Sequence, residues 1–294
     1  MSTRDIGLAE PRVRLGGLRH WAGRPRLPVS VFLSLIFLAV LLAFCIAPGL
    51  FEPKDPAAQD PALGVTSPSA EHLLGTDELG RDILSRLIAG SLSAVGGPIL
   101  IGLLTVALAV VLGSLAGYHG GWIDKGFSRV FDVIFAMPAL MIAIVVIGVL
   151  GGGYFVACAV IVVLNLPETY RVIRSAVLEQ RVLPYVEATQ TLELTRRRIM
   201  FRHILPNLGS VVVAAFAIRF TGGLLALSAL SYLGLGVPPG SPNWGLMLAE
   251  NQVYLLANPW SALAPAGFLI LAAVSMVLVG DWMHDRLSTR EGIR

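Results

Sequence analysis

Arg219 is the residue whose charge is hardest to reconcile with its surroundings. It stands inside the apolar run Val211–Phe220, and a charge at the centre of a membrane costs about 2.5–3.5 kcal/mol on insertion scales, so it rarely faces lipid. One interpretation is that Arg219 snorkels, or pairs with the carboxylate of a neighbouring subunit for assembly. We expect instead that Arg219 lines a central cavity beside Gly222 and Gly223 and meets anionic groups there, because the glycines let another helix or a ligand approach.

Catalytic motifs are missing from the sequence. A phosphate-binding loop needs Gly-Lys-[Ser/Thr], but neither of the two lysines, Lys54 and Lys125, follows a glycine. There is no HExxH, no GxSxG and no Cys/His cluster, and Cys45 and Cys158 both lie in apolar runs. The sequence therefore predicts no catalytic residue, no metal site and no cofactor in this chain. Any ATP hydrolysis belongs to another chain.

The composition indicates an integral membrane protein. Of the 294 residues, 55% are hydrophobic and 14% are charged, whereas a soluble domain has about 45–50% and about 25%. The mean hydropathy of +0.74 agrees. These values exclude a disordered chain, a disulfide-rich secreted domain and an ordinary soluble enzyme. The net charge of +3 is too small to indicate nucleic-acid binding.

Six stretches approach the length of about 20 apolar residues that a spanning helix needs. We therefore predict an all-α integral membrane protein with six transmembrane helices. The first is expected to be a retained anchor, because cleavage would leave five further apolar stretches. Glycine and proline interrupt several of them, which indicates a packed bundle. The predicted spans are Ser30–Leu50, Val95–Tyr118, Val133–Leu150, Tyr154–Arg171, Leu208–Leu230 and Ala262–Trp282.

The distribution of Lys and Arg orients the chain. The segments assigned to one side of the membrane carry 18 cations and those on the other side carry three, so the positive-inside rule places both termini in the cytoplasm. The predicted organisation is a cytoplasmic N-terminal segment 1–29, a first span 30–50, an outer segment 51–94, a core 95–283 and a cytoplasmic tail 284–294.

The inner segment 184–207 is conspicuous. Pro184 is placed to open a helix, Glu187 to support its first turn, and Val186 and Leu192 lie near one face. The run Arg196–Arg198 follows. One interpretation is an amphipathic connector that lies on the membrane and binds lipid headgroups.

A resemblance favours a different interpretation of this segment. It resembles the EAA loop of binding-protein-dependent ABC importer permeases, because it begins Glu187-Ala188-Thr189 and ends Ile204-Leu205-Pro206. Two positions depart from the family pattern. Thr189 replaces the second alanine, and Glu193 replaces the usual glycine.

Three further segments are similar to one membrane subunit of the peptide and nickel importers. They are His72–Arg86 in the outer segment, Gly117–Pro138 around the second inner loop, and Leu230–Gly245 after the fifth span. The residues 75–86 alone could be a solvated loop with an i,i+4 pair between Asp82 and Arg86. We expect an interface helix that lies against the bundle.

The resemblance implies a type I ABC importer permease core with a cytoplasmic coupling helix in the cytoplasmic (inner) membrane. It implies three kinds of partner: a second, homologous permease, two cytoplasmic ATPase subunits that bind ATP and Mg²⁺, and a periplasmic or extracellular substrate-binding protein. The expected function is to carry di- or oligopeptides by alternating access. ATPase coupling is expected at Glu187, Ala188, Thr189 and Leu192, and Arg219 is expected to meet the peptide carboxylate.

Other functions remain open at this stage. The same architecture could import nickel chelate, haem or glutathione. An ion-coupled secondary transporter would need intramembrane carboxylates or histidines, whereas Asp132 and Glu168 lie at the ends of the predicted spans and the histidines lie outside them.

Overall fold

The computed structural model describes residues 27–191 and 194–291. This part of the chain consists of helices and connecting loops, without a β-sheet. Short 3₁₀ turns lie at Pro48–Leu50, Leu205–Leu208 and Gln252–Tyr254, and a π-helical stretch lies at Met200–Ile204. The α-helices are α1 Val29–Ile46, α2 Ile83–Ala89, α3 Ser91–His119, α4 Gly121–Phe135, α5 Ala139–Leu150, α6 Tyr154–Arg181, α7 Pro184–Thr191, α8 Arg196–Ile199, α9 Gly209–Tyr232, α10 Trp244–Asn251 and α11 Trp260–Glu291.

Five helical segments in the described residues are long and apolar enough to cross a membrane: α1, α2 with α3, α6, the segment Met200–Tyr232, and α11. A sixth crossing exists only if α4 and α5 together form one broken span, because they meet at 85°. The predicted span Val133–Leu150 is therefore not one continuous helix, and its break lies at Pro138. Pro138 precedes α5 with an extended ψ of 117°, since proline has no N–H to continue α4 and disfavours helical geometry in the residue before it.

Two other predicted spans are longer than expected. The fourth continues as α6 to Arg181 rather than ending at Arg171, and the last continues as α11 to Glu291 through most of the predicted tail. The extension of α6 has a packing reason, because Ile173 and Val177 are both fully buried. Hydropathy alone marks where apolar residues stop, whereas a helix continues as long as one of its faces can be buried.

Helix α3 lies at the centre of the bundle, where it packs against α6 and α9, and α11 packs against α9 and α1. Glycines allow these close approaches. A Cβ on Gly113 or Gly117 would lie 3.1 or 3.0 Å from backbone atoms of Arg174 in α6, and a Cβ on Gly280 would lie 2.3 Å from the Cβ of Ala217 in α9. Lipid leaves no hydrophobic driving force between helices, so the close packing that small residues allow stabilises such crossings instead.

The outer cap comprises residues 51–90 and 233–259. Trp244 is fully buried and donates a hydrogen bond from Nε1 to the Leu87 carbonyl at 2.8 Å, which joins the two parts of the cap. Its ring packs edge-on against Phe268 of α11, so Trp244 also ties the cap to the bundle.

Two hydrogen bonds also join the two halves of the outer cap. Asn258 donates from Nδ2 to the Leu74 carbonyl at 2.9 Å, and the hydroxyl of Tyr254 donates to Glu78 Oε2 at 2.7 Å. The bond to the Glu78 carboxylate raises the pKa of Tyr254 above its usual value, because that bond is made only by the protonated phenol.

Candidate functional site

The guanidinium of Arg219 forms an ion pair inside its own chain. Its Nη1 lies 2.9 Å from Glu168 Oε2 and 3.5 Å from Asn165 Oδ1, so α9 is joined to α6. The Arg219 side chain is only 10% exposed, whereas the Glu168 side chain is 56% exposed. The carboxylate, and not the guanidinium, is therefore the part of this pair that reaches the surface of the chain.

The sequence suggested that Glu168 lies at the end of a span, but in the structure it lies in the middle of helix α6. It is the fifteenth of the 28 residues of α6, about 21 Å along the helix at a rise of about 1.5 Å per residue. The sequence placed Glu168 at the span end because polar residues from Asn165 onward appeared to end the span. Pro167 stays inside the helix, so those polar residues remain part of the bundle.

The two glycines near Arg219 point in different directions. Gly222 lies on the exposed face of α9, with no atom within 4 Å of the position of a Cβ. Gly223 is buried, and a Cβ there would lie 3.1 Å from the Ile101 side chain of α3. Gly222 therefore opens a surface one turn from the ion pair, whereas Gly223 lets two helices of the same chain approach.

The segment with the expected coupling residues forms α7 after a short turn from α6. Thr189 is buried and donates from Oγ1 to the Val186 carbonyl at 2.7 Å, and Ala188 lies at the exposed surface. The side chain of Glu187 and the whole of Leu192 lie outside the described residues. The three residues 187–189 share this one helix.

Val186 holds α7 against the bundle. Val186 is fully buried, with a solvent exposure of 0%. It belongs to a cluster that joins α6, α7 and the segment 199–208. We call this cluster the inner foot; its buried members are Ala109, Tyr118, Ile173, Val177, Val186, Ile199, Met200, Ile204 and Leu208. The sequence pattern placed Val186 on an apolar face, and the burial of this residue agrees with it.

Helix α4 is also tied to α6 by charges. Both Nε and Nη2 of Arg174 bind the carboxylate of Asp124, and Arg171 Nη2 lies 2.6 Å from Asp132 Oδ1. The second pair is exposed, with side chains 47% and 55% accessible, and such pairs contribute little to stability. The paired Asp124 and Arg174 are more enclosed, with side chains 18% and 32% exposed, and they tie α4 to α6.

A cluster of four charges lies buried in the outer cap, and we call it the outer charge cluster. Arg81 Nε lies 2.7 Å from Asp77 Oδ2, and Arg81 Nη2 lies 3.2 Å from Glu250 Oε2. Arg86 lies 3.5 Å from the same two carboxylate oxygens and donates from Nη1 to the Gly240 carbonyl at 3.1 Å. The cluster therefore joins the two halves of the outer cap.

The sequence did not indicate this cluster. The solvated pair between Asp82 and Arg86 does not form; Asp82 instead accepts from Ser85 N as the N-cap of α2 and lies 2.9 Å from His72 Nδ1. Helix α2 has five buried residues out of seven. Glu250 is more than 160 residues away from Arg86 in the chain, so no local pattern could reveal the cluster.

Comparison with known proteins agrees with the resemblance seen in the sequence. The model of the family described as "Binding-protein-dependent transport system inner membrane component" matches residues 109–292. The di/tripeptide transport system permease protein DppC of Pseudomonas aeruginosa is 34% identical over 269 residues, which cover 87% of each chain. The glutathione transport system permease protein GsiD of Pectobacterium atrosepticum is 34% identical over 223 residues, covering 76% of this chain and 74% of that protein.

A solved structure shows that the fold is shared. The inward-facing MetNI methionine ABC transporter superposes with a TM-score of 0.56 at 17% identity, over 68% of this chain and 95% of that one. Because the family model covers more than half of the chain and the similarity to such relatives extends along most of its length, the chain belongs to the family of binding-protein-dependent transport system inner membrane components, the permease subunits of ABC importers.

Proposed function

We propose that this permease subunit carries di- or oligopeptides across the cytoplasmic membrane. The observation that carries the proposal is the 34% identity to a di/tripeptide permease along 87% of both chains. A dipeptide permease of Alkalihalophilus pseudofirmus, 31% identical over 261 residues, supports the same cargo class. Family membership leaves no room for the ion-coupled secondary transporter that the sequence alone left open.

Glutathione is the second candidate cargo, because a glutathione permease is as similar, at 34% identity. Glutathione is itself a short peptide with an ammonium and carboxylates, so the two candidates share their chemistry. Uptake of labelled trialanine by cells with and without this chain tests the peptide proposal. Competition by excess glutathione at the same concentration separates the two cargoes: strong inhibition favours glutathione, and weak inhibition favours the peptide.

The proposal includes partners that this chain needs. A second, homologous permease completes the pathway, two cytoplasmic ATPase subunits bind ATP and Mg²⁺, and an external binding protein delivers the peptide. Both termini are then cytoplasmic, as the distribution of cations favours. Large apolar side chains are exposed on α5, such as Val145 and Val149, and they need lipid or a partner protein around them.

Coupling to the ATPases is proposed for α7. We assign the docking contact to Glu187, Ala188, Thr189 and Leu192, in accord with the EAA-like sequence. The geometry suits the role, because a turn of two residues separates the end of α6 at Arg181 from the start of α7 at Pro184. A force on α7 therefore reaches a spanning helix directly, and closure of the ATPases can rotate spans between outward-open and inward-open states.

The translocation path is proposed to run along the exposed face of α9. Arg219, Gly222 and Gly223 form the wall, with Gly222 at its surface and Gly223 holding α9 close to α3. This assignment is supported by the cost of a charge in lipid, which requires the Arg219 and Glu168 pair to lie beside water or protein. Thiol labelling at Gly222, described below, tests it.

A further inference from the structure

The exposed half of the mid-bundle ion pair is acidic. Glu168 has 56% of its side chain accessible, while Arg219 is 10% accessible, although both lie in helices long and apolar enough to span the membrane. A carboxylate in such a helix is costly wherever it meets lipid. The exposed side of Glu168 must therefore face water or another protein chain.

The bonding of the pair decides which chemistry it presents. Arg219 binds Oε2 of Glu168, and Oε1 has no hydrogen-bond partner in residues 27–191 and 194–291. Only Nη1 of the guanidinium has partners in the described residues, Glu168 and Asn165 Oδ1. Most of the exposed surface of the pair belongs to the carboxylate, so the site suits a donor or a cation better than the anionic group expected from Arg219 alone.

We infer that Glu168 contacts the cationic end of the cargo, the α-ammonium of a passing peptide, and that Arg219 is its positioning residue. This inference rests on the proposed peptide transport and names the residue that discriminates cargo within it. Arg219 holds the carboxylate of Glu168 through one contact, from Nη1 to Oε2 at 2.9 Å, and leaves Oε1 for the cargo. Arg219 offsets only part of the charge of Glu168, so the contact with the ammonium attracts the peptide and still releases it, as a transport pathway requires.

The surroundings of the pair offer space for one uncharged side chain of a peptide. A groove of about 170 Å³ lies between α5, α6 and α9, and Asn165 contributes to its wall while also contacting Arg219. The other residues of this wall are apolar, among them Leu140, Ile161 and Leu230. The acceptor at Glu168 and an apolar groove therefore adjoin, which matches an ammonium followed by an uncharged side chain.

The test uses the complete complex, reconstituted in lipid vesicles with its ATPases, second permease and binding protein, and trialanine as the probe. Uptake is normalised to the amount of assembled complex, measured by co-purification. Glu168→Gln is expected to lower trialanine uptake about tenfold, because the charge-assisted hydrogen bond to the ammonium is replaced by a weaker neutral one. Glu179→Gln, an exposed carboxylate three turns further along α6, is the matched control and should transport normally.

A charge swap separates cargo contact from simple structure. In the double variant Glu168→Arg with Arg219→Glu, the ion pair can re-form, but the exposed group becomes a cation. We expect the complex to assemble and uptake to stay at least about tenfold below that of the wild type. Recovery of normal uptake, or normal uptake by Glu168→Gln, would show that the pair is only structural and would overturn the inference.

Thiol labelling gives an answer even if these variants fail to assemble. In a background with Cys45→Ser and Cys158→Ala, Gly222→Cys places one thiol on the exposed face of α9, beside an intact Glu168. We expect a cationic methanethiosulfonate to react faster than an anionic one of similar size. Absence of labelling, or equal rates, contradicts an acidic aqueous path. If the wild-type complex assembles but takes up no trialanine, the proposed function fails and the inference falls with it.

Discussion

Arg86 in the outer cap depends on partners that lie far apart in the sequence. Its side chain is 2% exposed, and it shares Asp77 and Glu250 with Arg81. Burial strips water from all four charges, and the cost is recovered only while each charge keeps an opposite partner. The four residues therefore act as one unit that holds the loop after α9 to the segment before α3.

Replacing Arg86 is expected to be far more costly than replacing an exposed arginine. Arg86→Met leaves two carboxylates against one guanidinium, and the removal of one partner from a buried pair costs about 3–5 kcal/mol. The matched control is Arg171→Met, because that arginine pairs with Asp132 at the surface, where the cost is about 0–1 kcal/mol. Thermal unfolding in detergent measures both. Equal changes in Tm would show that the outer charge cluster is not a stabilising unit.

The sequence revealed single charged residues better than pairs of them. Arg219 was recognisable because a charge interrupts an apolar run, and the structure does bury it. Its partner Glu168 was not recognisable, because polar neighbours made it resemble the end of a span. Pairing depends on the rotation and depth of two helices, and the hydropathy of either helix contains neither quantity.

At the level of whole helices, the crossing of α9 and α11 depends on Gly280. The contact is with the Cβ of Ala217, which cannot rotate away as the end of a long side chain can. Gly280 and Gly267 lie in the same helix, but no atom lies within 4 Å of the position of a Cβ on Gly267. The two glycines thus differ in packing while sharing a backbone environment.

We predict that Gly280→Ala destabilises the bundle and that Gly267→Ala does not. The first substitution forces two helices apart, and overpacking of this kind costs about 1–3 kcal/mol. The second gains helix propensity, up to about 1 kcal/mol. Unfolding of the two purified variants in detergent gives the comparison. A loss of stability in both, of similar size, would mean that the crossing is looser than the structure indicates.

Val186 offers a test of the anchoring of α7. Val186→Asp places a charge in the inner foot, so α7 should separate from the bundle and no longer transmit motion. We expect the complex to insert in the membrane, and peptide to stimulate ATP hydrolysis several-fold less than in the wild type. Val182→Asp is the control, because Val182 is 77% exposed just before α7. If both variants show normal stimulation, the inner foot does not hold the coupling element.

Glu187 tests the docking face of the same helix. Glu187→Lys is expected to leave membrane insertion unchanged and to abolish the peptide-stimulated part of ATP hydrolysis, because reversal of the charge disturbs the contact with the ATPase rather than the bundle. The measurement is ATPase activity with and without trialanine in the reconstituted complex. Normal stimulation together with normal uptake would remove Glu187 from the coupling site.

For the molecule as a whole, the apolar stretches were sufficient to predict an all-helical membrane bundle, and the resemblance of four segments to a known family predicted the importer type. The thickness of the bilayer sets how many apolar residues a spanning helix needs. The five long helices were therefore found with errors only at their ends. Pro138 was recognisable as an interruption of the third span, but the size of the bend was not, because both sides of Pro138 are apolar enough to continue one span. The two helices meet at 85°, and the ion pairs that hold α4 to α6 involve residues about 40–50 positions apart.

The most direct test of the account is ATP-driven uptake by the whole complex. Proteoliposomes that contain this chain, its partner permease and the two ATPases should accumulate labelled trialanine only when both Mg²⁺-ATP and the binding protein are present. Omission of either should reduce uptake to the background level. Accumulation driven by a proton or sodium gradient, without ATP, would contradict the assignment of this chain as an ATP-dependent peptide permease.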